Sequence, residues 1–323
     1  RKSIDLTDPA DDLGVEEMMD VYASMVLLRT LDERVWMMNR QGKAPIVSSC
    51  QGHEAAQIGS VMALRKHAGK HCCFTYYRDW GVVMSQGASA QEIMTGFLGK
   101  EGETFSGARQ FAMQGADLDH NIINISNVVG NHVLHAVGWS LAGKIKGEIN
   151  VAATYFGDGA TSQGDVHEAM NFAAIHDLPV LFMCENNHYA ISLAETYQVA
   201  GGSVAARGAA YGMPGIKVDG TDLRAVYRVT TDAIKRAISG DGPSLIEFDV
   251  ERFMPHTSDD DDTRYRDRAE VEDSRKRDPI LKLQHVLMEA GVLTEESVEA
   301  YRKQAQAEVN AATEAAEAAP FPG

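Results

Sequence analysis

The sequence predicts an α/β protein, with a mostly parallel sheet carrying helices on both faces and helical extensions at its N- and C-terminal ends. Two observations carry this. Between residues 120 and 250, short apolar runs alternate with stretches whose apolar residues recur at three- and four-residue spacing, the pattern of strands joined by covering helices. Neither an internal repeat nor a Gly/Ser-rich linker divides the 323 residues, so one domain is expected over 1–323. Within it, 1–60 reads as a helical N-terminal extension, 61–256 as the α/β core, 257–273 as a mobile acidic loop and 274–323 as C-terminal helices.

The elements follow in order. Residues 15–39 read as a helix because Met18, Met19, Tyr22, Met25, Val26 and Leu28 return at helical spacing. Strands are expected at 122–126, 151–156, 178–184 and 244–250, where apolar and β-branched residues cluster. Between the second and third, residues 162–176 place Val166, Ala169, Met170, Ala173 and Ala174 on one helix face, which makes a βαβ unit. From Thr257 to Asp273 the chain is mostly Asp, Arg and Ser with little to bury, hence the expected mobile loop. Residues 279–290 and 295–318 read as helices, the second opened by Thr294-Glu295-Glu296.

With 44% of residues hydrophobic the chain can bury a large core, and no run approaches the ~20 apolar residues of a membrane span. The start, Arg1-Lys2-Ser3-Ile4-Asp5, lacks the apolar segment of a secretory signal. A formal charge of -16 argues against nucleic acid as a partner, since phosphate backbones need a cationic patch. Cys50, Cys72, Cys73 and Cys184 show no CxxC spacing, so neither a zinc cluster nor a disulfide framework is expected and a reducing compartment fits.

The most informative segment is Gly157-Asp158-Gly159-Ala160-Thr161-Ser162-Gln163-Gly164-Asp165, which follows a strand and opens a helix. Glycines let the backbone approach an anion, and free amides at a helix start favour negative charge. Asp158 opposes that logic unless a cation lies between it and the phosphates, a role magnesium fills. A second cluster, Glu185-Asn186-Asn187-His188-Tyr189-Ala190-Ile191-Ser192, follows the next strand. Adjacent parallel strands would bring both turns to one sheet edge, and Asn187 could supply a second oxygen.

Gly-Asp-Gly followed at this distance by Asn-Asn resembles the thiamine-diphosphate-binding motif of transketolases, pyruvate decarboxylases and 2-oxoacid dehydrogenases. Gln51-Gly52-His53-Glu54-Ala55-Ala56, Tyr76-Tyr77-Arg78-Asp79, Asn171-Phe172-Ala173-Ala174 and Pro255-His256-Thr257-Ser258-Asp259-Asp260-Asp261 narrow the resemblance to the α subunit of the two-chain 2-oxoacid dehydrogenases. The His256 segment with its Asp run is similar to the branched-chain type. The resemblance covers roughly residues 15–315 and implies the thiamine-diphosphate-binding fold.

It also implies roles. Asp158, Asn187 and the carbonyl of Tyr189 would ligate magnesium. Gly157, Gly159 and Ala160 would meet the diphosphate of thiamine diphosphate, with Arg78 neutralising it and Tyr77 bonding beside it. His256 would stand near the reacting carbon, Val129 and Ile191 would pack on the cofactor, and Ile46 and Tyr76 would line the substrate pocket. The reaction implied is oxidative decarboxylation of a branched-chain 2-oxoacid with acyl transfer to the lipoyl group of a partner acyltransferase. The carboxylate that activates the cofactor would belong to a β subunit, in a heterotetramer of two α and two β chains. A bacterial cytoplasm is expected in preference to a mitochondrial matrix.

Gln114 stands where relatives often carry a His, and Gln cannot shuttle a proton near neutral pH. Glu54 and Glu185 read as structural, and His132 and His135 as a plain helix face because no carboxylate or Cys completes a ligand set. Thr257 occupies a position resembling a regulatory phosphorylation site. The alternatives are a pyruvate or acetoin dehydrogenase α subunit and a catalytically silent scaffold. A dinucleotide-binding domain is set aside because no G-x-G-x-x-G follows a strand.

Overall fold

The computed structural model describes residues 13–323; the polar start of the chain lies outside them. Helix α1 (Val15–Arg40) and helix α2 (Glu54–His67) precede strand β1 (His71–Tyr76), which is followed by α3 (Trp80–Gln86) and α4 (Ala90–Leu98). Next come β2 (Gly115–Asp117), β3 (Ile122–Ser126), α5 (Asn131–Lys146), β4 (Val151–Gly157), α6 (Gly164–Ile175) and β5 (Val180–Asn186). A small hairpin, β6 (Tyr189–Ala190) and β7 (Leu193–Ala194), leads to β8 (Gly215–Asp219), α7 (Leu223–Ile238) and β9 (Ser244–Asp249). Helices α8 (Arg268–Ser274), α9 (Pro279–Glu289) and α10 (Glu295–Ala318) close the chain.

Seven strands form one sheet in the order β2-β3-β1-β4-β5-β9-β8, parallel throughout except for the β2–β3 pair. Side-chain alternation divides its two faces. Cys73, Ala153, Tyr155, Leu181 and Met183 join a core with α1, α2, α3, α4 and α7. Cys72, Phe74, Ala152, Phe182 and Cys184 join a second core with α5 and α6. Strands buried on both faces need near-continuous apolar runs, which is why β4 and β5 were legible. The four cysteines are buried thiols within these layers.

The sheet therefore is mixed α/β and mostly parallel, as expected, but three of its strands were not anticipated. Central β1 is interrupted by Thr75 and flanked by His71 and Tyr77, so its apolar run is short. Edge strand β8 is half exposed along its length, and β2 has only three residues. The acidic stretch expected as a mobile loop contains a 3₁₀ turn at Asp262–Arg264 and helix α8. Its charges find partners: Asp260 accepts from the His256 amide and the Tyr265 hydroxyl, and buried Arg266 donates to the Arg252 carbonyl at 2.9 Å. Among the described residues no helix is long and apolar enough to cross a membrane.

From β1 the chain crosses one face of the sheet to reach β3; from β4 it crosses the other face to reach β5. The boundary between β1 and β4 is thus a topological switch point, where the carboxyl ends of neighbouring strands part and leave a crevice.

Candidate functional site

A cavity of about 400 Å³ opens at that switch point. Tyr76, Tyr77 and Arg78 leave the end of β1, Gly157, Asp158, Gly159 and Ala160 leave the end of β4, and Asn187, Tyr189 and Ile191 follow β5. Register pairs Gly157 with Glu185, so the two motif turns stand at the same sheet edge. Val129 and His256 complete the expected set around the cavity. Ile46 is not among the lining residues: it is 38% exposed, while Val47 turns inward and exchanges bonds with Ser258 through Val47 N to Ser258 Oγ at 3.1 Å and Ser258 N to Val47 O at 2.8 Å. Gln114 lies outside the lining as well.

Asp158 is 1% exposed, and burial pushes its carboxyl up to about 6. Its carboxyl oxygen Oδ2 has no partner. Asn187 Oδ1 is likewise buried and unpartnered. Two orphaned acceptors in one cavity are costly unless something positive meets them, since an unsatisfied buried polar atom costs about 1–3 kcal/mol. The turn itself is pinned by Thr161 Oγ1 and Gln198 Nε2, which donate to the Asp158 carbonyl at 2.6 and 2.9 Å. Gly159 is needed because a Cβ there would stand 3.0 Å from that of Ala190. On the opposite turn His188 and Ile191 hold positive φ of 68° and 57°, a backbone strain typical of ligand cradles.

Arg78 is equally buried. Nη1 donates to the Ser49 carbonyl and Nη2 to the His256 carbonyl at 3.0 Å. Nη2 also lies 3.4 Å from His256 Nδ1. A guanidinium only donates, so Nδ1 must carry the lone pair and Nε2 the proton. Burial, then Arg78 and Arg252, depress His256 to about 3, which keeps it neutral. Tyr77 packs edge-on against its ring, with centroids 5.9 Å apart.

The carboxylates near the site divide sharply. Glu54 binds Arg29 at 2.6 Å and the Gly52 amide at 2.8 Å. Glu185 Oε2 accepts from His53, Tyr76 and Gln57, so the Tyr76 hydroxyl is spent there. Neither lines the cavity, and Asp158 is its one acidic wall residue. Asn127, Gly130, His132, Phe156, Gln163 and Ala190 line it without having been singled out for that role. His132 donates Nε2–H to the Tyr155 carbonyl at 2.6 Å and is pushed down to about 4 by burial, so it belongs to both a helix face and the cavity wall. Gln163 and Ala190 fall within the two motif segments; Asn127, Gly130 and Phe156 carried no such signal.

Among the described residues, no three His, Cys, Asp or Glu side chains gather to hold a metal. The oxygens gathered here, one carboxylate and one amide, form a different kind of set.

Comparison with known proteins decides the family. A family model described as "Dehydrogenase E1 component" matches residues 22–323. The chain belongs to this family. It is 44% identical over 95% of its length, and 92% of the relative's, to the 2-oxoisovalerate dehydrogenase subunit alpha of Bacillus subtilis. It is 38% identical to the 3-methyl-2-oxobutanoate dehydrogenase subunit alpha of Mycobacterium tuberculosis, over 92% of this chain and 78% of that one. The pyruvate dehydrogenase E1 component subunit alpha of Staphylococcus aureus matches at 36% identity, over 96% and 80% of the two chains. The resemblance read from the motifs is thereby met at the level of the family, which implies use of thiamine diphosphate.

Proposed function

We propose that the chain is the α subunit of a branched-chain 2-oxoacid dehydrogenase, holding thiamine diphosphate and magnesium in the cavity between β1 and β4, within the thiamine-diphosphate-binding fold. The observation that carries this is the pair of buried, unpartnered oxygens in the cavity wall, one from the Asp158 carboxylate (Oδ2) and one from the Asn187 amide (Oδ1). A hard divalent cation takes oxygen ligands of this mixed kind. Asp158, Asn187 and the Tyr189 carbonyl would hold the ion. The backbone of Gly157, Gly159 and Ala160 and the guanidinium of Arg78 would receive the diphosphate.

When bound, the cofactor supplies the electron sink for decarboxylation of the 2-oxoacid. This chain's part is to place and polarise. His256 holds its proton on Nε2 and stays neutral, so it can donate a hydrogen bond to a substrate oxygen without adding charge. Tyr77 fixes the plane of that ring. Val129 and Ile191 give the cavity apolar walls on which the cofactor would pack.

Among the described residues the cavity wall has no second carboxylate to take up a proton from the cofactor, and Glu54 and Glu185 are committed elsewhere. That supports completion of the site by a β subunit, in a heterotetramer of two α and two β chains, with a lipoyl acyltransferase as the acyl acceptor. Exposed Val128, Val129 and Ile191 beside the cavity favour a covering partner. The relatives of B. subtilis and M. tuberculosis support a bacterial cytoplasm.

Branched-chain specificity rests on the relatives, because Ile46 is not among the residues that line the cavity. Reconstituted α and β chains should decarboxylate 2-oxoisovalerate faster than pyruvate; a clear preference for pyruvate would overturn the substrate. Magnesium-dependent thiamine diphosphate binding that survives Asp158→Ala would overturn the site.

A further inference from the structure

Beneath the cavity floor lies a dry polar cluster that the proposed chemistry does not use. His53, at the N-cap of α2, is 0% exposed, as is Glu185 at the end of β5. His53 Nδ1 stands 2.7 Å from Glu185 Oε2, and the same oxygen accepts from the Tyr76 hydroxyl at 2.9 Å and from Gln57 Nε2 at 3.1 Å. An oxygen that gathers three donors is a carboxylate, so His53 carries its proton on Nδ1. The other ring nitrogen, Nε2, lies 3.5 Å from Asn187 Nδ2, an amide nitrogen that can only donate, so Nε2 is the acceptor of that contact.

This fixes the direction of an amide. Reversing the Asn187 side chain would set its Oδ1 against the lone pair of His53 Nε2, two acceptors face to face. As it stands, Nδ2 turns to His53 and Oδ1 is left unpartnered. The geometry points to His53 as a positioning residue: held by Glu185, it presents the oxygen and not the nitrogen of Asn187 to a divalent cation. The inference rests on the metal-binding reading above. Groups behind a metal ligand typically change affinity about 10–100-fold when removed.

The test uses the full chain assembled with its β subunit, with Mn²⁺ as the probe in saturating thiamine diphosphate, its free concentration followed by electron paramagnetic resonance. His53→Leu should raise the Mn²⁺ Kd about 10–100-fold, and should change it no further in an Asn187→Ala background, because the two residues act as one unit. A wild-type Kd in His53→Leu, or an equal loss in both backgrounds, overturns the inference; the second would mark a merely structural role. Should His53→Leu not fold, His53→Gln carries the test, since an amide can donate to Glu185 and accept from Asn187. Its Kd should stay within about threefold of wild type, and a tenfold weakening overturns the inference. Mn²⁺ binding that survives Asp158→Ala would instead refute the metal site itself, whatever His53 does.

Discussion

Asp158→Asn should make the metal-free protein more stable and the cofactor-dependent protein useless. The Asp158 carboxyl moves from an ordinary 3.8 to about 6, chiefly through burial. That shift costs the ionised form about 3 kcal/mol. Below 3.8 the group is protonated both folded and unfolded, so it costs nothing. As pH rises from 3.8 through about 6, the unfolded chain ionises freely while the folded one resists, and the stability lost grows to its full value above that window. Asn keeps the shape and never carries the charge. Relative to wild type, the variant should therefore gain up to about 3 kcal/mol between about pH 4 and pH 7.5, an upper bound because the unfolded wild-type carboxyl is already partly ionised at pH 4. Urea unfolding in the presence of a chelator, followed by tryptophan fluorescence at both pH values, measures this directly. Any packing cost of the amide is common to both and cancels. The same variant should lose magnesium-dependent binding of thiamine diphosphate. An identical stability difference at the two pH values would refute the account of Asp158 as a buried charge awaiting a cation.

Arg78→Lys should weaken thiamine diphosphate at least tenfold, about 1.4 kcal/mol, because one ammonium cannot span the Ser49 and His256 carbonyls that the guanidinium bridges. Calorimetric titration at saturating magnesium checks this, and a Kd within twofold of wild type refutes it. For His256, held near about 3, His256→Gln should lower the rate of the assembled enzyme without changing the shape of its profile from about pH 5.5 to 8. An acid limb near pH 6.5 that is present in wild type and absent from the variant would show that His256 titrates in that range.

What the sequence made legible was what is local along the chain. Gly157–Asp158 and Asn187 each follow an apolar strand directly, and strand adjacency carries the two turns to one edge. The same holds for Tyr77 and Arg78, although β1 itself escaped notice because Thr75 and its polar flanks shorten the apolar run. Contacts between distant segments left no such trace. His53 and Glu185 are 132 residues apart, and neither flanking motif hints that one orients a ring for the other. The acidic stretch after His256 reads as loop by composition, yet buried Arg252 donates to the Tyr265 hydroxyl, and buried Arg266 donates to the Arg252 carbonyl and pairs with Asp262. Ile46 was placed by resemblance, and alternation about buried Val47 turns it outward. Asp32 carried no motif either, although its buried carboxylate gathers Ser49 Oγ, Cys50 N and Gln51 Nε2 and so sets the loop that receives Arg78.

Charge balance argues for the kind of ligand more strongly than shape does. Arg78, 1% exposed, spends its donors on two neutral carbonyls, and among the described residues no carboxylate pairs with it. Across the same cavity, Asp158 is buried with an unpartnered oxygen. A buried charge left without a counter-charge costs several kcal/mol after relaxation. An anion alone would answer Arg78 and aggravate Asp158, while a cation alone would do the reverse. A cation that carries its own anion answers both, and the proposed magnesium with the diphosphate would supply that combination. A fold evolved to keep only its own apoprotein stable would gain from replacing both residues with apolar ones. Keeping a guanidinium and a carboxylate buried on facing turns, with His256 held neutral between burial and Arg78, fits the proposal that the two charges are met together when the site is filled.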